Sequence, residues 1–183
     1  MTKNEKLKRR REEKTDYYKR KNLLTSEKPR LVVRKSENHF NVQIIDYKKE
    51  GDKILASAHS NNLKEFGWKA STNNTPAAYL TGYLCGLKGK QQNIKSVIPD
   101  IGLNPVTIGS NIFAALKGAK DAGIEVPVRE KVVPNKERIK GQHIADYADE
   151  GDFNKYKERG LDPKDIPDHF EKIKEKITKK FGD

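Results

Sequence analysis

The stretch TNNTPAAYLTGYLCGLKGK, residues 72–90, sets the architecture. Thr75 is a natural N-cap and Pro76 a natural first helical residue, because proline lacks an N–H that a helix start leaves unpartnered anyway. Leu80, Tyr83, Leu84 and Leu87 follow the i, i+3, i+4, i+7 spacing of a buried stripe. Gly82 and Gly86 stand one turn apart. No apolar span of about 20 residues surrounds them, so they predict close packing of this helix on a sheet and not dimerisation in lipid. Cys85 falls inside the same helix, which predicts an inert, buried thiol.

Upstream lies the sheet that such a helix needs. Leu31, Val32 and Val33 form a short β-branched run, Lys35 to Asn38 supply a turn, and Phe40, Val42 and Ile44 alternate with polar residues in a second strand. A polar loop through Lys48, Lys49, Glu50, Gly51 and Asp52 leads to a third strand, Ile54 to His59. Three strands joined by short turns predict an antiparallel meander with one covered and one polar face. Trp68, between Gly67 and Lys69, predicts a core anchor.

Downstream, SVIPDIGL at residues 96–103 is a short strand that Pro99 confines to an edge, an end or a bulge. Ser110 then caps a second helix with Ile112, Phe113, Leu116 and Ala119 facing inward and Gly123 ending it. A strand between two helices is expected to run parallel to an earlier strand by the right-handed crossover rule. The fold class is therefore α/β: a small mixed sheet in β-β-β-α-β-α order with helices packed on it. Beyond Pro127 the apolar density falls. Asn135 caps a helix with the stripe Ile139, His143, Ile144 and Tyr147; Asp162 with Pro163, and Pro167, are further helix starts. The last leads to Phe170, Ile173, Ile177 and Phe181 on one side and lysines elsewhere, as expected of an amphipathic helix docked on a core or a partner.

The front of the chain is of another kind. RRREEKTDYYKRKNLL, residues 9–24, interleaves cations with Tyr17 and Tyr18 and has no apolar stripe. The whole chain holds 38 Lys and Arg against 26 Asp and Glu, a net +12; residues 1–35 hold 14 against 5, a net +9, and the remainder is almost balanced. Charge so concentrated is the footprint of an arm reaching for a polyanion, with nucleic acid the leading partner class. Three regions follow: a basic arm over residues 1–27, an α/β binding domain over 28–126, and a charged, mostly helical C-terminal extension over 127–183.

Other chemistries find little support. No apolar run is long enough to span a membrane or to serve as a secretory signal, so an intracellular, cytoplasmic protein without membrane partners is expected. One cysteine and four scattered histidines offer no zinc spacing, and the acids Asp146, Asp149, Glu150 and Asp152 lack the spacing of a calcium loop, so neither metal nor cofactor is expected. Hydrolase, metalloprotease and phosphate-loop motifs are absent, which points away from an enzyme. In the arm, Arg9, Arg10, Arg11, Lys14, Arg20 and Lys21 can neutralise phosphates while Tyr17 and Tyr18 offer stacking faces. The segment 71–75 brings Asn73, Asn74 and a helix N-terminus to one place, a ready phosphate site.

The blocks KPRLVVRKSENHFNVQIIDY, LASAHSNNLKEFGWK, TNNTPAAYLTGYLCGLKGK, DIGLNPVTIGSNIFAALKGAKDAGIEVP and ERIKGQHIADYA follow RRREEKTDYYKRKNLL in this order. Together they closely resemble the archaeal form of large-subunit ribosomal protein eighteen, whose eukaryotic counterpart is the 5S rRNA-binding large-subunit protein five. The resemblance covers about residues 9–148 and is looser after Asp149. It implies a structural constituent of the large subunit that binds 5S rRNA and anchors it to the 23S-type rRNA in the central protuberance, beside neighbouring proteins that include the other 5S-binding one. It adds Arg30, Arg34, Lys35, Asn38 and His39 around the first hairpin, and His59, Lys69, Thr72, Asn73, Asn74 and Thr75 near the first helix, as RNA contacts. Two other readings stay open on the residues alone. One is another RNA-binding or RNA-processing α/β protein, with Asp46 and Asp100 as strand-end carboxylates; the other is a protein-interaction module built on the C-terminal helices.

Overall fold

A computed structural model describes residues 7–182; the first six residues of the expected arm and Asp183 lie outside that range. Four strands form one sheet in the order β3-β2-β1-β4: β1 (Arg30–Lys35), β2 (Phe40–Asp46), β3 (Lys53–His59) and β4 (Ile98–Asp100). The first three make the antiparallel meander, and β4 pairs parallel to β1 on the edge, where Pro99 removes no ladder bond that the sheet needs. The α/β order expected of the central region is the one present.

Helix α3 (Thr75–Gln91) lies across the inner face of the sheet with α4 (Asn111–Asp121) beside it. The inward positions Leu31, Val33, Phe40, Val42, Ile44, Ala56 and Ala58 are all buried. Burial of α3 extends beyond the expected stripe, because β2, β3, α4 and the C-terminal helices enclose it; its buried residues run from Thr75 to Gly89 with Lys88 the one interruption. A helix surrounded in this way needs no polar face.

Several local expectations are corrected. The N-cap of α3 is Asn74, whose Oδ1 accepts from the Ala77 N–H at 2.9 Å. Thr75 is already inside the helix and donates its hydroxyl to Asn111 Oδ1 at 2.7 Å. Ser110 holds the N-cap position of α4 but makes no side-chain cap bond. Gly82 and Gly86 serve a helix and not the sheet: a Cβ on Gly82 would overlap the Ala115 carbonyl, and one on Gly86 would meet Ala122 and Ala119 of α4 and its cap. Gly118 returns the contact, lying against the backbone of Tyr79 and Tyr83. Cys85 is buried, and burial pushes its thiol up to about 12.

After α4 the chain forms α5 (Lys136–Lys140), α6 (Gln142–Asp146), α7 (Asn154–Glu158) and α8 (Ile166–Phe181). Asn135 does cap α5, accepting from the Arg138 N–H at 2.9 Å. The expected stripe to Tyr147 is interrupted, since Gly141 takes a φ of +91° and ends α5, leaving Ile139 buried and Tyr147 exposed. Helix α8 carries Asp168 in its first turn and Lys179 and Lys180 in its last, matching the helix dipole. Its Phe170, Ile173 and Ile177 are 0–1 % exposed and join the same core as the sheet. The apolar side of this helix meets its own molecule. No helix among the described residues is long and apolar enough to cross a membrane.

Candidate nucleic-acid interface

Strand β1 has a second face. Leu31 and Val33 point into the core, so by the two-residue period Arg30, Val32 and Arg34 point the other way. The arm folds back over that face. It consists of α1 (Lys8–Arg11) and α2 (Tyr17–Leu24), and α2 starts where Asp16 Oδ1 accepts from the Lys19 N–H at 3.1 Å. Arg20 pairs with Asp52 at 2.8 Å, and Lys19 Nζ donates to the Gly102 carbonyl at 2.8 Å. Between arm and sheet lies a cleft of about 100 Å³ lined by Arg9, Lys14, Lys19, Arg20, Arg30 and Arg34 together with Asp16, Asp100 and Gly102.

Asp100 organises this cleft. It receives Arg30 on Oδ2 at 2.8 Å and Arg34 on Oδ1 at 3.0 Å, and its Oδ1 also accepts from the Gly102 N–H at 3.0 Å. Burial pushes the Asp100 carboxyl up, but Arg34, the Gly102 N–H and Arg30 outweigh it and hold the group below the usual carboxylate range. Arg30 is 3 % exposed and also reaches Asp52 at 2.9 Å. Its guanidinium is thus committed to the interior, whereas the Arg34 side chain is 46 % exposed and faces outward from the same carboxylate. Asp46, the other strand-end carboxylate, pairs with Lys48 at 3.0 Å.

A second group gathers at the end of the sheet where β1 finishes and α3 begins. Thr72 donates to the Asn38 carbonyl at 2.8 Å and Asn73 donates from Nδ2 to the Glu37 carbonyl, joining the hairpin turn to the loop before α3. The His39 and His59 rings lie 4.8 Å apart. His39 Nδ1 is paired with Ser60 Oγ at 3.2 Å, and His59 Nδ1 accepts from the Asn61 N–H at 3.2 Å. Burial, with His39 beside it, pulls the His59 pKa down. Asn73 Oδ1 and Asn74 Nδ2 have no hydrogen-bond partner among the described residues. Thr75 sits in the same segment but is 3 % exposed.

The remaining candidates are distributed around these groups. In the arm, Arg10 stacks over Tyr18 at 5.0 Å, Arg9 Nε donates to Thr15 Oγ1 at 3.0 Å, Lys14 pairs with Glu12 at 2.9 Å, Tyr17 is half-buried, and Arg11 and Lys21 are exposed. Lys35 is exposed at the end of β1. Lys69 stands apart from both groups: its N–H donates to His169 Nε2 at 3.2 Å and its Nζ to the Gly160 carbonyl at 3.1 Å. It ties the α3 approach to the C-terminal region, where His169 stacks on the buried Trp68. Residue-by-residue reading missed Lys19, although the arm's charge run contained it, and gave Asp52 only as a loop residue and Asp100 only as a strand-end carboxylate, because the arginines they position are 22 to 70 residues away in sequence.

What this arrangement offers is a basic arm held on one face of a sheet and a polar, histidine-containing rim at the sheet's end. Comparison with known proteins agrees in kind. The family described as ribosomal large subunit proteins 60S L5 and 50S L18 matches residues 3–93 and 87–129. Large ribosomal subunit protein uL18 of Staphylothermus marinus is 48 % identical, over 96 % of this chain and 92 % of its own length. The protein of that name from Methanothermobacter thermautotrophicus is 49 % identical over 93 % of each chain, and that from Ignicoccus hospitalis 49 % identical over 94 % and 90 %. Coverage of that extent carries the similarity past Asp149, where the sequence blocks alone resemble the family more loosely. A sheet with the arm folded against it, matched over nearly the full length by such relatives, places the chain in the family of ribosomal large-subunit proteins 60S L5 and 50S L18, in its archaeal form.

Proposed function

We propose that this chain is a non-catalytic structural protein of the cytoplasmic large ribosomal subunit that binds 5S rRNA and anchors it to the 23S-type rRNA in the central protuberance. Its protein partners are the neighbours there, including the other 5S-binding protein. The observation that carries this reading is the joint placement of arm and domain. Arg9, Lys14, Arg20 and Arg34 meet in one cleft, and β1 leads from there to the rim of Asn38, His39, His59, Thr72 and Asn73. Phosphate contacts from the arm supply affinity, while the rim reads the folded shape of one RNA. Arg30 and Thr75, buried and bonded within the protein, position Asp100 and the start of α3 and do not touch RNA. In this reading residues 1–27 are the RNA-directed arm, 28–126 the binding domain, and 127–183 the extension that braces α3.

A gel-shift titration against 5S rRNA, with tRNA as control, tests the reading. Preferential binding of 5S rRNA is expected, and equal affinity for the two RNAs would sink it. Incubating 5S rRNA with the protein and magnesium should return the RNA intact.

A further inference from the structure

The cleft between α2 and the β1/β4 edge is built more closely than RNA steering by a charged arm requires. Six cations line it, and four carboxylates lie on or against them: Glu12, Asp16, Asp52 and Asp100. An excess of two positive charges is left in the cleft. Lys19 Nζ and Arg9 Nε donate only to neutral oxygens, those of Gly102 and Thr15, so their charge is not met by any carboxylate among the described residues. The turn from Asp100 to Gly102 holds this set in place. Gly102 adopts a φ of +65°, and a Cβ there would lie 3.0 Å from Arg34 Cζ, so the absence of a side chain lets the Arg34 guanidinium lie flat against the turn while its carbonyl receives Lys19. The eight-residue helix α2 directs its positive end to the same place, since Thr15 and Asp16 line the cleft. The cleft has a volume of about 100 Å³, more than the roughly 10–15 Å³ that a single water needs on the same measure. It has room for one tetrahedral oxyanion.

We propose that this cleft is a site for a single phosphate group of the bound RNA, held by Lys19, Arg34, Arg20 and Arg9, and that filling it clamps the arm to the sheet. The inference rests on the RNA-binding function proposed above and narrows it to one phosphodiester at one place. Because Lys19 and Arg20 come from α2, Arg9 from α1 and Arg34 from β1, the anion bridges arm and domain. Arm docking and phosphate binding are then one linked equilibrium.

The test uses the full chain and inorganic phosphate, titrated in chloride buffer at constant ionic strength. The Gly102 amide and the arginine Nε–H signals are followed by NMR, and the rate of trypsin cleavage within residues 17–24 is measured in parallel. Expected are one saturable transition and slower cleavage as it saturates, with phosphate affinity reduced about tenfold in Lys19→Gln and in Arg34→Gln, the loss of one charge-assisted bond each. Lys19 lies on the exposed arm, so its variant carries the test if Arg34→Gln disturbs folding. Absence of saturation, or full phosphate affinity in the variants, overturns the site. The same variants are then titrated with 5S rRNA. A matching loss supports an RNA phosphodiester as the occupant; unchanged RNA affinity assigns the cleft to free phosphate and overturns that part of the inference. Preference of the wild-type chain for 5S rRNA over tRNA is scored separately, so failure of the cleft and failure of the RNA reading give different results.

Discussion

Asp100 shows how one side chain can set a surface that it does not itself form. It is 5 % exposed, neutralises Arg30 within the molecule and holds Arg34 at its edge. Removing one partner of a buried pair leaves an uncompensated charge, which typically costs about 3–5 kcal/mol. Asp52 retains part of the pairing to Arg30, so Asp100→Asn should destabilise the protein by about 3 kcal/mol, read as a lower midpoint in urea unfolding at pH 7. The pH dependence has a definite sign. A carboxyl held below its unfolded value binds fewer protons in the folded state; its stabilisation is complete above the unfolded aspartate pKa and is lost as pH falls through the lower folded one. The wild-type chain should therefore lose stability in the acid range below about pH 4, and Asp100→Asn should lose less over the same interval, by urea midpoints taken at successive pH values. Little of this was legible in the sequence. Arg30 and Arg34 sit in the same block and on the same face of the same strand, so composition and period cannot tell the buried one from the outward one. The residue that separates them, Asp100, is 70 positions from Arg30.

The decisive contact among the elements is the crossing of α3 and α4. Gly82 lies under the Ala115 carbonyl and Gly118 under the Tyr79 carbonyl, so the two helices touch by backbone at two reciprocal points. Alanine is intrinsically the better helix former by about 1 kcal/mol, yet a methyl group here forces the helices apart. Overpacking of this kind costs about 1–3 kcal/mol, and Gly82→Ala and Gly118→Ala should each be destabilising where propensity alone predicts the reverse; thermal unfolding decides. The same scale governs α8. Ile173 and Ile177 are buried against the core around α3, so truncating either to alanine should cost about 2–5 kcal/mol, whereas Lys172→Ala on the exposed face should be nearly silent. The strands, the two central helices and α8 were legible because each carries a clean period or an edge proline. The glycine pair in 72–90 was legible as a close approach but not as to what approaches, since a helix and a sheet both ask only for a missing side chain. Asn74 and Thr75 are both capping residues, and the choice between them was made by Asn111, which takes the Thr75 hydroxyl. Gly141 ended a helix whose apolar spacing continued, because the φ of +91° is a tertiary choice that its sequence neighbours do not announce.

At the scale of the whole molecule, the charge asymmetry has become a geometry. The basic arm is not suspended away from the domain; Arg20 and Lys19 tie α2 to Asp52 and to the Gly102 turn, over a strand that leads to the histidine rim. That attachment alters what deleting the arm should do. A detached tail would contribute phosphate contacts and nothing else, so its removal would lower the salt slope and leave the domain as stable as before. Here removal of residues 1–22 also strips Asp52 of Arg20 and the Gly102 carbonyl of Lys19. Each phosphate contact adds roughly 0.7–0.9 to the slope of log K against log salt. If the arm supplies about five contacts, deletion should reduce the slope in 5S rRNA binding by about four and also lower the unfolding midpoint measurably. A truncated chain that keeps the full slope would show that the arm is not the electrostatic contact. A slope that falls with no change in stability would show that the docking of α2 on β1 contributes nothing to the fold, and the linkage between arm and sheet would fail with it.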